Sequence, residues 1–388
     1  MAINKSLRIG MVIAALLCLV PLTGCWDDAE INGRAFVLGF GADSGSGGAD
    51  YDFTFQLAIP VSGESDSAGS IEYSDVTVRE ITPAAAVRTL EKNLGREINF
   101  EQLCLIVIGE PLSRQGFTGL TDYFFRRASV RRQSCIAVCD GSAKDFFAAS
   151  ATDKAISTDA ASTLQSYDAG SGKIAMDLFS LYKTLINRDV FFLPKLTRRA
   201  AKIAGENAGQ SNSTILSLSG ALAYGKDGGF RGVLDEEELE LLRLTCGSGT
   251  GGALPVYDDA GNRFCCQIRQ SDCQVKSKIA DGVPAFRLHL ELVLVPLDAG
   301  GLDGSGYTTA SVKHISRSAE QTVKARLEAL VHRSQTSLGA SVLGLKDILR
   351  QRHPDWYALH EREWERIYPS SHITITVKCT AAGGGITQ

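Results

Sequence analysis

Residues whose types and spacing could do chemistry are sparse in this 388-residue chain. Gly247-Ser248-Gly249-Thr250-Gly251-Gly252 matches G-x-G-x-x-G formally, but a dinucleotide loop must follow a strand and open a helix so that its amides meet the pyrophosphate. Here the loop follows a helical stretch, so a plain connector is expected. Gly172-Lys173 lacks the upstream glycine and the following Ser/Thr of a phosphate loop, which leaves magnesium without a hydroxyl ligand. His360-Glu361 has no second His one helical turn on, so the two-His zinc pair is absent. Cys265, Cys266 and Cys273 have no second C-x-x-C half beside them, and buried Cys commonly acts as a small apolar residue. No Gly-x-Ser-x-Gly elbow occurs, and no Ser or Cys is placed beside a His and an acid. The run Asp235 to Glu238 reads as a helix start, where acids cap the free amides and meet the positive end of the dipole. Arg126-Arg127 with Arg131-Arg132 reads as a solvated basic face at a helix end. No catalytic residue, cofactor or metal is therefore expected.

One residue does have neighbours that suit a reaction. Lys5 and Arg8 precede an uncharged apolar core, Met11 to Val20, which ends in Leu22-Thr23-Gly24-Cys25. The positive start, the apolar stretch shorter than the ~20 residues of a spanning helix, and the small residues at its end make a secretory signal. Pro21, Thr23 and Gly24 suit an extended cleavage site better than a continuing helix. Leu22 to Cys25 resembles the bacterial lipobox, in which the Cys thiol receives a diacylglycerol and becomes the first residue after cleavage. Two acyl chains suffice for stable anchoring, where one is marginal. Residues 1–24 are thus expected to be a signal peptide. Cys25 is expected to tether the rest to the outer face of a bacterial membrane.

Composition narrows the partners. The chain has 40 Lys+Arg against 44 Asp+Glu, a net charge of −4, and loses two bases with the signal, so no general attraction to phosphate polymers exists and nucleic acid is not expected. Hydrophobic residues at 44% and charged residues at 22% are ordinary for a folded body. No later apolar run approaches a membrane span.

The elements that would carry any site are legible in part. Phe36 to Phe40, Tyr51 to Ile59, Tyr73 to Arg79, Leu103 to Ile108 and Ser134 to Cys139 read as strands. Pro83 to Leu94, capped by Thr82, reads as a helix, as do Ser113 to Arg127 and Ser142 to about Ser150. Ser150 to Lys173 is polar and reads as a long loop, and Lys202 to Ser213 has linker composition. Thr214 to Tyr224 and Phe230 to Val233 read as a hairpin, Glu236 to Thr245 as a helix, and Cys265 to Ile279 as a strand pair. Phe286, Leu288, Leu290, Leu292 and Leu294 alternate cleanly along one strand face. Ile315, Ala319, Val323, Leu327 and Val331 recur every four residues, the stripe of one long amphipathic helix. A second helix, Val342 to Arg352, stops before Pro354, and Ile373, Ile375 and Val377 share one face of a closing strand.

Together these residues carry a family likeness. Cys25-Trp26-Asp27 with Glu30-Ile31-Asn32, Leu103 to Gly109 with Glu110, and Phe124-Phe125-Arg126 through Arg132 resemble the Ger(x)C spore germination lipoproteins, the C subunits of nutrient germinant receptors. Gly220 to Ala223, Gly232 to Glu238, Gly344 to Arg350, His353-Pro354-Asp355-Trp356 and Trp364 follow in that family's order, over nearly the whole chain. More Cys than the family's usual complement and the glycine-rich 247–252 depart from it.

The resemblance implies an α+β fold of three mixed α/β domains in tandem, with mostly antiparallel or mixed sheets each covered by helices. The expected units are residues 25–205, a small middle unit 214–265 and a C-terminal unit 266–388. It also implies a non-catalytic subunit needed for the germination response to nutrients, held at the cell membrane or inner spore membrane by lipid on Cys25 beside the A and B receptor subunits. Trp356, Tyr357 and Trp364 are candidate partner contacts, since exposed Trp is enriched at interfaces, with closure of the last core as the other reading. A free-standing solute-binding lipoprotein is the rival function.

Overall fold

A computed structural model describes residues 33–45, 50–61, 70–148, 155–167, 174, 176–187, 190–202, 212–225, 227–246, 252–257, 263–297 and 309–381. Cys25 and the signal segment lie outside them, as do most of the 247–252 loop and of the expected linker.

Two sheets organise the chain. In the first, β1 (Arg34–Ser44), β2 (Tyr51–Val61) and β3 (Ser70–Glu80) form an antiparallel meander. Helix α1 (Pro83–Leu94) follows, with Thr82 Oγ1 accepting the Ala85 amide at 3.2 Å and Pro83 in the first turn, as its cap sequence requires. The short β4 (Glu97–Asn99) and then β5 (Leu105–Gly109) pair with β1 in parallel. Parallel pairing continues through β6 (Cys135–Cys139) to β7 (Val190–Lys202), after which β8 (Asn212–Gly225) and β9 (Phe230–Leu234) return antiparallel. The order is β3-β2-β1-β5-β6-β7-β8-β9. Every residue of β5 and β6 is buried, the uninterrupted apolar signature of strands covered on both faces.

Helices α2 (Glu110–Gln115) and α3 (Thr118–Arg126) connect β5 to β6. They replace the single helix read from 113–127, because the chain turns at Gly116, whose φ of 121° ends α2. Beyond β6 come α4 (Ala143–Ala148), α5 (Ile156–Tyr167) and α6 (Leu178–Asn187). Helix α5 corrects the reading of 150–173 as a loop: Ile156, Ala160, Ala161 and Leu164 form a buried stripe, hidden in the sequence among Ser, Thr and Gln.

After α7 (Glu236–Leu244), the second sheet runs β10 (Ala253–Tyr257), β11 (Arg263–Ala280), β12 (Val283–Pro296) and β13 (His372–Ala381). The expected strand pair at 265–279 is instead one 18-residue strand with an irregularity between Ile268 and Gln270; its partners are β10 and β12. Helix α8 (Thr309–Thr336) lies across this sheet. Phe286, Leu288, Leu290, Leu292 and Leu294 of β12 meet Ile315, Ala319, Val323, Leu327 and Val331 of α8, all ten at most 5% exposed. Each large apolar side chain hidden this way contributes about 1.5–3 kcal/mol. Helices α9 (Leu345–Arg352), α10 (Pro354–His360) and α11 (Trp364–Ile367) complete the cover before β13 closes in parallel beside β12.

The class is α+β, with mixed sheets covered by helices. The strands expected in a middle unit are shared out: β8 and β9 extend the first sheet from β7, while β10 and the start of β11 open the second. Continuous ladders draw them there, since a strand gains most from a partner already fixed.

Candidate functional site

The three aromatic candidates stand differently. Trp364 is 4% exposed and packs on Tyr368, ring centroids 5.5 Å apart. Tyr368 is fully buried, its hydroxyl bonded to that of Ser334 on α8, and Gln335 Nε2 donates to the Tyr368 carbonyl at 3.2 Å. Trp364 therefore closes a core and presents no surface to a partner. Trp356 and Tyr357 lie on α10, where no residue is fully buried. Trp356 stacks on His360 with centroids 4.3 Å apart, and His360 Nδ1 lies 2.8 Å from the Trp356 carbonyl. The Trp356 indole nitrogen is buried without an acceptor among the described residues. Lys346 Nζ stands 5.7 Å from the Tyr357 ring, and Leu359 on the same helix is 80% exposed. Helix α10 was not legible as an element. Pro354, a permitted first helical residue, was its signal.

A cleft of about 450 Å³ opens between the two sheets' helices, lined by Tyr167 of α5, Glu237, Glu240 and Leu244 of α7, Pro255 of β10 and Arg326 of α8, among others. That volume suits a small molecule. Glu240 Oε2 accepts from the Tyr167 hydroxyl at 3.2 Å and lies 3.4 Å from Arg243 Nε. Its other oxygen is buried with no donor among the described residues. The Arg243 guanidinium sits 4.7 Å over the Tyr167 ring. Burial, then the Glu240 charge, pushes the Tyr167 phenol upward, so it stays protonated and donates. Arg326 is held by Glu237 at 3.3 Å. Sequence reasoning missed this cleft because Tyr167 and Glu240 come together only in the fold.

The acidic run at 235–238 is a capping box: Asp235 Oδ1 accepts the Glu238 amide at 2.8 Å and Glu238 Oε2 accepts the Asp235 amide at 3.1 Å. Among the described residues no three His, Cys, Asp or Glu side chains gather as a metal site. Burial pushes the Cys104 thiol up to about 11 and the Cys379 thiol up to about 12, which makes both poor nucleophiles.

At the carboxyl edge of the parallel strands, Lys195 Nζ of β7 binds Glu110 at 2.8 Å and Asp140 at 2.6 Å. Asp43, at the end of β1, accepts the Ala143 and Lys144 amides at 2.8 and 2.9 Å. These contacts pin α2 and α4 to the sheet.

Comparison with known proteins gives the same picture over almost the whole length. Residues 27–198 match the family model for the spore germination protein N-terminal domain, and residues 219–385 match that for the spore germination B3/GerAC-like C-terminal domain. The chain is 22% identical over 357 residues to spore germination protein B3 of Bacillus subtilis, covering 90% of this chain and 91% of that protein. It is 23% identical over 283 residues to spore germination protein A3 of the same organism, covering 70% and 69%. The crystal structure of the GerBC protein superposes with a TM-score of 0.58 at 16% identity, covering 88% of this chain and 96% of that one, which shows a shared fold.

Proposed function

The chain belongs to the Ger(x)C family of spore germination proteins, and from that premise we propose that it is a non-catalytic, lipid-anchored C subunit of a nutrient germinant receptor. The observation that carries this reading is the ordered match of both family domains over residues 27–198 and 219–385. Lipid on Cys25 would hold the body at the outer face of the inner spore membrane, beside the receptor's A and B subunits. The candidate contact for those subunits is α10, with Trp356 and Tyr357 half-buried and Leu359 exposed. The lack of a catalytic arrangement in the sequence agrees with a subunit that acts by assembly.

Deleting the gene is expected to abolish one nutrient response. Spores that lack it and every paralogue, yet germinate normally to all nutrients tested, would refute the reading. Co-purification from spore membranes is expected to recover the A and B subunits, and Cys25→Ala is expected to move the protein from the detergent phase to the aqueous phase.

The cleft between α5, α7 and β10 favours a second reading, a free-standing solute-binding lipoprotein. A ligand-dependent rise in melting temperature of the isolated protein would support it.

A further inference from the structure

Helix α6 has two apolar faces where a surface helix normally has one. Leu178 and Leu181 are buried at 2% and 0% exposure, while Phe179, Tyr182 and Ile186 stand 48%, 42% and 54% exposed. Spacings of three and four put these exposed residues in one stripe. A contiguous apolar stripe of this kind marks an interaction surface.

The stripe has a basic border. Lys183 is exposed, its Nζ 4.5 Å from the Phe179 ring. The Phe179 amide donates to the Arg132 carbonyl at 2.9 Å, which sets the exposed Arg131 and Arg132 at the start of the helix. Neither arginine is ion-paired with a described residue, whereas neighbouring Arg126 is held by Asp122 at 2.6 Å. Aromatic and branched apolar side chains bordered by unpaired Lys and Arg are the composition that settles into the headgroup region of an anionic bilayer.

The fold places this surface at one edge. Strands β1, β5, β6 and β7 are parallel, so their first residues share an edge of the sheet. Helix α6 spans that edge, from the Ser134 carbonyl, which accepts the Leu178 amide at 3.1 Å, back to Val190 at the start of β7. Arg34 begins β1 there. Nine chain steps lead from Cys25 to it, a reach of at most about 32 Å. A lipid on Cys25 therefore tethers the body on the side of the edge that bears α6.

We propose that Phe179, Tyr182 and Ile186, with Arg131, Arg132 and Lys183, form a bilayer-contact surface for anionic phospholipid that orients the tethered body. The inference rests on the Cys25 anchor proposed above. The net charge of −4 for the whole chain, more negative still once Lys5 and Arg8 leave with the signal, gives the body no general attraction to such a bilayer. The tether supplies the effective concentration and the patch sets the orientation.

The test uses the full lipoprotein in vesicles with brominated acyl chains, made of phosphatidylcholine alone or of phosphatidylcholine and phosphatidylglycerol in equal parts. Ile186→Trp places a fluorophore on the stripe. Ile215→Trp places one at an exposed position towards the opposite edge of the same sheet, since Ile215 pairs with Arg199 late in β7. The emission added at position 186 should be quenched several-fold more than that at 215, and more strongly with phosphatidylglycerol. Arg131→Glu with Arg132→Glu should remove the phosphatidylglycerol dependence. Protein that floats with the vesicles but shows equal quenching at both positions, or no effect of the double charge reversal, overturns the contact surface alone. Protein that does not float overturns the anchor and this inference with it.

Discussion

Arg333, near the end of α8, bonds both carboxylate oxygens of Glu238, the residue whose side chain also closes the capping box of α7. The helix that covers the second sheet is thereby tied to the helix that follows the first. Arg326 repeats the tie two turns back on the same face of α8, to Glu237. The Glu238 side chain is 16% exposed and that of Arg333 is 38% exposed, so the pair is partly shielded from solvent. Arg333→Ala is expected to destabilise the protein by about 1–2 kcal/mol, measured by urea unfolding. Glu238→Ala should cost somewhat more, because it also removes a helix cap. In a double-mutant cycle the two losses should fall short of additive.

Lys195 predicts an acid-dependent stability. Its hydrogen bond holds the Asp140 carboxyl below the usual range; for Glu110, burial alone would raise the carboxyl, but Lys195 and Arg114 together outweigh it and lower it. A carboxylate depressed in the folded state stabilises the protein above its unfolded pKa and loses that contribution as pH falls through the folded value. Stability should therefore drop as pH falls from the ordinary carboxylate value of about 4 through the lower folded values. Lys195→Met should flatten this segment of the pH profile and cost about 2 kcal/mol near neutrality, by leaving Glu110 partly buried without its nearest cation. A profile that keeps the wild-type slope in Lys195→Met would reject the assignment.

The sequence disclosed what periodicity and punctuation can disclose. Thr82-Pro83 announced α1, the alternating leucines announced β12, and the four-residue stripe of α8 named the residues that cover them. Helix α5 escaped because its buried face is built from alanines that carry almost no hydrophobic contrast against Ser and Thr. Its trace lies far upstream, at Gly39. A β-carbon added there would stand 2.1 Å from Ser157 Oγ and 2.6 Å from Phe147, so α4 and α5 pack directly on the β1 backbone. The sharing of strands between two sheets was also hidden, because β8 and β9 look like a self-sufficient hairpin until β7 is known to lie beside them. At the aromatic site, three residue types were visible but their burial was not.

Gly39→Ala follows from that close approach. The added methyl must displace Ser157, whose amide and hydroxyl both donate to Gln56 Oε1 at 3.0 and 2.5 Å, and Gln56 in turn donates to Asp75 at 3.0 Å. Overpacking of this kind costs about 1–3 kcal/mol. Raised hydrogen exchange at the amides of α5, with β12 and α8 left as protected as in the parent, would localise the damage. Uniform deprotection of both sheets would contradict it.

Helices α10 and α11 offer a contrast between a contact and a core. Trp364→Ala removes a side chain that is 4% exposed and stacked on Tyr368, and should cost about 3–5 kcal/mol. Leu359→Ser alters a side chain that is 80% exposed and should change stability by less than about 0.5 kcal/mol. Because Trp356 lies about one turn before it on the same helix face, Leu359→Ser is nevertheless expected to lower recovery of partner subunits from spore membranes. The stability values are read from urea melts of the purified protein, and recovery from quantitative affinity capture at equal expression. Normal recovery with Leu359→Ser would remove this face of α10 from the receptor interface, because that side chain is exposed and can be altered without disturbing the Trp364 core.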